Sequence, residues 1–193
     1  DFKPANVVYV SDQHDIGRFV GIDLDGACAL NASYPVSEIV STPAYSHPML
    51  ERERRASGGL GQVAVTHALD LWSLGMCWMR IFTNEDFFAS RGVLTEEGVV
   101  DSLVNMQQEE VSEYISQRFT GGQLRNIGRF LRDIMQVDGT KCLALSSLLP
   151  KHQFIYGGGS SVMASSVVRA VESMTARQHE MNQKLDAVSS DMD

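Results

Sequence analysis

Asp1-Phe2-Lys3-Pro4-Ala5-Asn6 sets a carboxylate, an ammonium and a carboxamide within six residues, on a tight loop that leads into a strand. Val7 to Val10 and Phe19 to Leu24 follow as short stretches rich in β-branched or apolar residues, separated by the polar, turn-like Ser11 to Gly17. That pattern predicts a small hairpin. An Asp-x-Lys-x-x-Asn loop taken alone is more often a solvated turn than a catalytic one, so the downstream order has to decide its meaning.

Asn31 to Gly61 is rich in Ser, Pro and Gly with little periodicity, and predicts loop with one short helix near Met49 to Arg55. Val65 to Phe82 is mostly apolar, with Asp70 and Arg80 its only charged members. Its length favours a helix, and a helix hydrophobic on nearly every face is a buried one. Apolar residues at intervals of three and four predict two further helices, over Leu94 to Arg118 and Gly122 to Gln136, and a short one over Leu143 to Leu149 before Pro150. Beyond Gly157-Gly158-Gly159, the residues Val167, Val171, Met174, Met181, Leu185 and Val188 recur at heptad-compatible spacing, the pattern of a helical tail. The expected fold is therefore mainly α. Residues 1–155 form one domain, and 156–193 form a linker with a coiled-coil or docked helix that offers a route to self-association through 160–190.

A chain of 193 residues with 44% hydrophobic content suits one core and a tail. The net charge of −8 argues against the broad positive footprint of a nucleic-acid or anionic-membrane partner, with Arg52, Arg54 and Arg55 as local docking points. Cys28, Cys77 and Cys142 are odd in number and far apart, which predicts a reducing, cytoplasmic setting over a disulfide framework. No apolar run approaches the roughly 20 residues of a membrane span. The five histidines show no metal-ligand spacing. Gly58-Gly59-Leu60-Gly61 lacks the strand and lysine of a phosphate loop and reads as a flexible insertion.

In order along the chain, these stretches resemble the C-terminal lobe of a eukaryotic-type protein kinase. The opening loop resembles the family's catalytic loop, in which a base Asp precedes a metal-binding Asn by five positions, as Asp1 precedes Asn6. Lys3 resembles the serine/threonine-directed branch. Gly21-Ile22-Asp23-Leu24-Asp25-Gly26 stands where the family has its magnesium-binding Asp-Phe-Gly, with Asp25 in place of the glycine. Thr42-Pro43-Ala44-Tyr45-Ser46-His47-Pro48-Met49 resembles the end of the activation segment, with Met49 in place of a glutamate. Asp70-Leu71-Trp72-Ser73-Leu74-Gly75 resembles the start of the central buried helix, whose Asp anchors the catalytic-loop backbone. The span from Met49 to Asp70 is longer than usual, which predicts an inserted loop over Arg52 to Thr66. Met135 to Cys142, continuing through His152 to Phe154, resembles the closing motif, with Cys142 in place of the arginine that pairs with that glutamate.

The resemblance implies an ATP- and magnesium-dependent protein serine/threonine kinase. Asp1 would align the protein hydroxyl, Lys3 would stand beside the moving phosphoryl group and Thr42 would bridge Asp1 and Lys3. Asn6 and Asp23 would hold the metal, and Lys3, Asn6 and Asp23 would face the nucleotide. The chain opens without a methionine and without the glycine-rich loop, strand lysine and helix glutamate of the N-terminal lobe. It reads as a fragment, inactive by itself, with an exposed apolar patch where that lobe would pack. Asp25, Met49 and Cys142 motivate a second expectation, a pseudokinase or truncated lobe serving as an interaction scaffold. Ser33, Tyr34, Ser37 and Ser41 in the activation segment are positions where phosphorylation could act.

Overall fold

The structure, a computed structural model, describes residues 1–11, 17–122 and 124–152. The expected tail helix, the self-association through 160–190 and the motif residue Phe154 lie outside the described residues.

The architecture is mainly helical, with two small two-stranded antiparallel sheets. Strands β1 (Val7–Ser11) and β2 (Gly17–Gly21) form the expected hairpin, with Tyr9 opposite Phe19 and their rings 5.3 Å apart. The second strand stops at Gly21, short of the expected Leu24, because Ile22 N–H turns to donate to the Asn6 carbonyl at 2.9 Å and Asp23 takes a positive φ of 58°. Val8, Tyr9, Val10 and Phe19 leave the hairpin with an exposed apolar surface.

Strand β3 (Ser33–Pro35) pairs with β4 (Gln62–Ala64), and α1 (Pro48–Ser57) lies between them in the chain. Arg52 to Thr66 thus holds the end of α1, a turn over 58–61 and β4. Pro48 at the first helical position and His47 Nδ1, which accepts from Met49 N–H at 3.0 Å, start α1. Gly58 (φ 61°) and Gly59 (φ 86°) supply the left-handed turn that ends it and sends the chain into β4. Val36, Ile39, Leu50 and Val63 form a small core under this unit.

Helix α2 (His67–Thr83) occupies the apolar stretch as expected. Thr66 accepts from Ala68 N–H at its start, and Asn84 takes the left-handed position at its end. Trp72 is fully buried, and Met76 and Met79 are buried beside it. Each large apolar side chain so buried contributes roughly 1.5–3 kcal/mol. Gly75 permits the close approach of Met135, since a Cβ there would stand 2.4 Å from Met135 Cγ.

The predicted helix over Leu94 to Arg118 is two helices, α3 (Glu96–Asn105) and α4 (Gln108–Arg118). The chain breaks at Met106 (φ −59°, ψ 135°), which lets Leu103, Met106 and Val111 all reach the core. Arg52 secures the break by donating to the Val104 carbonyl at 2.8 Å and the Met106 carbonyl at 2.5 Å. Helix α5 (Leu124–Ile134) packs on α4 and α2, and α6 (Leu145–Lys151) runs across Pro150 rather than stopping before it. Among the described residues no helix is long and apolar enough to cross a membrane.

Candidate functional site

Pro4–Asn6 form one tight helical turn in which Asn6 N–H donates to the Lys3 carbonyl at 2.9 Å. The turn folds the Asn6 carboxamide back, and its Nδ2 donates to the Asp1 carbonyl at 2.9 Å. Asn6 is buried, and the bond commits its nitrogen, so the carboxamide oxygen is the atom left to face a cation.

Thr42 arrives from 41 residues away and completes the cluster: its N–H donates to Asp1 Oδ1 at 2.7 Å. The Thr42 hydroxyl donates to Asp1 Oδ2 at 3.1 Å and accepts from Lys3 Nζ at 2.9 Å. Lys3 Nζ also meets Asp1 Oδ2 at 2.5 Å. The Asp1 side chain is only 10% exposed and that of Lys3 24%, so this is a part-buried, charge-assisted network. It brings together three residues that the sequence singled out.

Asp23 stands on the turn after β2 with an exposed side chain. A non-glycine residue at φ 58° is uncommon, and such conformations cluster at functional sites. Asp1, Asn6, Asp23 and Asp70 line one cavity of about 370 Å³ whose apolar walls include Ile39 and Leu69. Asp25 is exposed. Among the described residues no group of three or more His, Cys, Asp or Glu could hold a metal ion as a dedicated cage.

Asp70, expected to anchor the catalytic-loop backbone, is exposed at the cavity, and among the described residues no side-chain bond ties it to that loop. It lies in the first turn of α2, where a carboxylate suits the helix dipole. The anchoring from this motif comes instead from Ser73, whose hydroxyl donates to the Tyr45 carbonyl at 2.8 Å and holds the 43–45 turn to α2.

Met49 and Cys142 stand where a long-range ion pair was expected to be lost. Met49 rests against the turn that carries Gly139, where a Cβ would meet Met49 Sδ at 3.5 Å, and burial pushes the Cys142 thiol upward. A different pair occupies the base of the segment. Glu51, 4% exposed, accepts from Arg54 Nη1 at 2.6 Å and from the Ser46 hydroxyl at 2.5 Å. The spacing held the signal: Leu50, Glu51 and Arg54 share one face of α1, and an apolar Leu50 marks that face as inward. The arginines of α1 are engaged within the fold: Arg52 binds the Val104 and Met106 carbonyls, Arg54 binds Glu51, and Arg55 makes an exposed pair with Asp101.

His47 is 2% exposed, and burial pushes it down to about 4. It is a neutral capping residue, and buried His152 packs on Asp133 at 2.7 Å and on the Phe130 ring. No family model, curated protein or solved structure matches this chain.

Proposed function

We propose that this chain is the C-terminal lobe of a protein serine/threonine kinase, carrying the catalytic loop for ATP- and magnesium-dependent phosphoryl transfer to protein hydroxyls. The observation that carries the reading is the Asp1–Lys3–Thr42 network, closed by bonds of 2.5–3.1 Å between positions 41 residues apart. A solvated Asp-x-Lys-x-x-Asn turn has no reason to recruit a distant threonine.

Phosphoryl transfer asks for positioning and charge rather than covalent help. Asp1 Oδ1 and Oδ2 are oriented by Thr42 and Lys3, which readies the carboxylate to accept a hydrogen bond from an incoming hydroxyl. The Lys3 ammonium, held by Asp1 and Thr42, is the cation that would meet the negative charge of a transferred phosphoryl group. The Asn6 carboxamide oxygen and the Asp23 carboxylate are hard oxygen donors on one cavity, and two such ligands suit a magnesium ion that keeps waters and nucleotide phosphates as its other partners. Magnesium bound there would neutralise phosphate charge.

Three free cysteines fit a reducing, cytoplasmic setting. The exposed Val8, Tyr9, Val10 and Phe19 offer an apolar seat for a nucleotide-binding lobe, the partner that the kinase reading calls for. The alternative is a scaffold with a silent site, favoured by Asp25 beside Asp23 where the family has glycine.

The test is transfer from labelled ATP to a basic protein by a polypeptide that joins this chain to a nucleotide-binding lobe. Transfer that disappears on Asp1→Asn and on Asp23→Ala is the expected result. A folded, magnesium-supplied polypeptide that binds ATP and transfers nothing overturns the enzyme reading in favour of the scaffold.

A further inference from the structure

One ion pair on α1 grips the segment around Thr42 at both ends. On the C-terminal side, Glu51 accepts from the buried Ser46 hydroxyl at 2.5 Å. On the N-terminal side, Arg54 Nη1 donates to the Ser41 hydroxyl at 2.6 Å, while Nη2 donates to the Ile39 carbonyl and Nε to the Val36 carbonyl at 3.4 Å. Glu51 and Arg54 hold each other at 2.6 Å, so Ser41 and Ser46 are two ends of one clamp with Thr42 between them. The clamp has a firm support, because Arg52 on the same helix ties α1 to α3 through the Val104 carbonyl.

We infer that Glu51 and Arg54 are positioning residues for Thr42, setting the geometry by which its N–H and hydroxyl meet Asp1. The physical route is short. The Thr42 N–H belongs to the Ser41–Thr42 peptide plane, and fixing the Ser41 side chain limits how that plane can turn. A guanidinium is suited to the task because its planar fork holds several acceptors at fixed angles. Glu51 keeps the fork in place and, being buried, requires it as counter-charge. The positions that lost the long-range pair, Met49 and Cys142, are thereby relieved of holding the segment. Order at Thr42 is supplied by charge on the neighbouring helix and needs no added phosphate.

This inference rests on the kinase reading for its meaning, but its test does not depend on transfer. Hydrogen exchange of the Thr42 amide is followed by NMR in the unphosphorylated chain, with the amide of Ile115, fully buried in α4, as reporter of global opening. Ser41→Ala, a mild change, is expected to speed exchange at Thr42 by at least roughly tenfold, the scale of losing one charge-assisted bond. Ile115 stays as it was. Arg54→Met speeds Thr42 exchange by a larger factor than it speeds Ile115, Ser41→Thr restores the slow rate, and Arg55→Met, which breaks only the exposed pair with Asp101, leaves Thr42 unchanged. Thr42 exchange that ignores both Ser41→Ala and Arg54→Met, or that rises in step with Ile115, overturns the inference. Absent phosphoryl transfer with this exchange pattern intact would remove the kinase reading and leave the clamp standing.

Discussion

His47→Asn isolates a pH dependence that the structure makes quantitative. His47 caps α1 with Nδ1 and is 2% exposed, and burial pushes its pKa from 6.5 down to about 4, with Arg52 lowering it further and Asp138 opposing. As pH falls through 6.5 the unfolded chain protonates this ring, while the native chain holds it neutral until about 4. The unfolded state therefore binds more protons across that window, and stability falls as pH falls. At about 1.4 kcal/mol per pH unit, the loss reaches about 3 kcal/mol on traversing the window. Asn keeps a short polar acceptor at the cap but does not titrate. Urea unfolding of both proteins, followed through Trp72 and Trp78 fluorescence from about pH 7 to about pH 4.5, yields a difference curve in which other titrating groups cancel. The wild type is expected to lose stability relative to the variant along that slope, whatever their offset at neutral pH. Difference curves flat to within ~0.5 kcal/mol would refute the buried, neutral histidine.

Arg54→Met strands the Glu51 carboxylate and is expected to cost about 3 kcal/mol, the low end for a broken buried pair because Arg54 keeps 27% of its side chain exposed. Glu51→Gln with Arg54→Met should recover part of that in urea titration, and a double variant no better than the single contradicts the pairing. Gly75→Ala forces a Cβ to 2.4 Å from Met135 Cγ, so overpacking of about 1–3 kcal/mol outweighs the helix-propensity gain of about 1 kcal/mol. A raised melting temperature for Gly75→Ala would count against this packing. Cys77, buried and pushed up to about 12, should resist alkylation at mild alkaline pH until the protein is unfolded, with mass spectrometry reading the site. Labelling of native Cys77 at the rate of a free thiol would contradict its burial.

The elements with strong periodicity were legible. The apolar run over α2 announced a buried helix, and the two short apolar stretches around Tyr9 and Phe19, split by a polar turn, announced the hairpin. The break at Met106 was not, because apolar spacing continues through it and Arg52, distant in sequence, supplies the partner for the Val104 and Met106 carbonyls. The strands β3 and β4 are three residues each, too short for alternation to register, and pair across α1. Asp1, Lys3 and Thr42 were legible as a set through their order along the chain, and the structure brings them within hydrogen-bond reach. Asp70 misled because residue type and spacing describe a motif, whereas the bond that holds the segment is made by its neighbour Ser73. Glu51 and Arg54 were hidden in a run of five charged residues, where composition suggests a solvated face and only helical phase sorts the inward residues from the outward ones.

The clamp on α1 also bears on the order of assembly. A tie between positions 49 and 142 would close a loop of 93 residues, while the Arg54–Ser41 tie closes one of 13. Loop-closure scaling makes the longer tie about 2 kcal/mol more expensive in chain entropy. A segment fastened through its own adjoining helix can settle while α5 and α6 are still unformed, and during synthesis it can do so before those helices have left the ribosome.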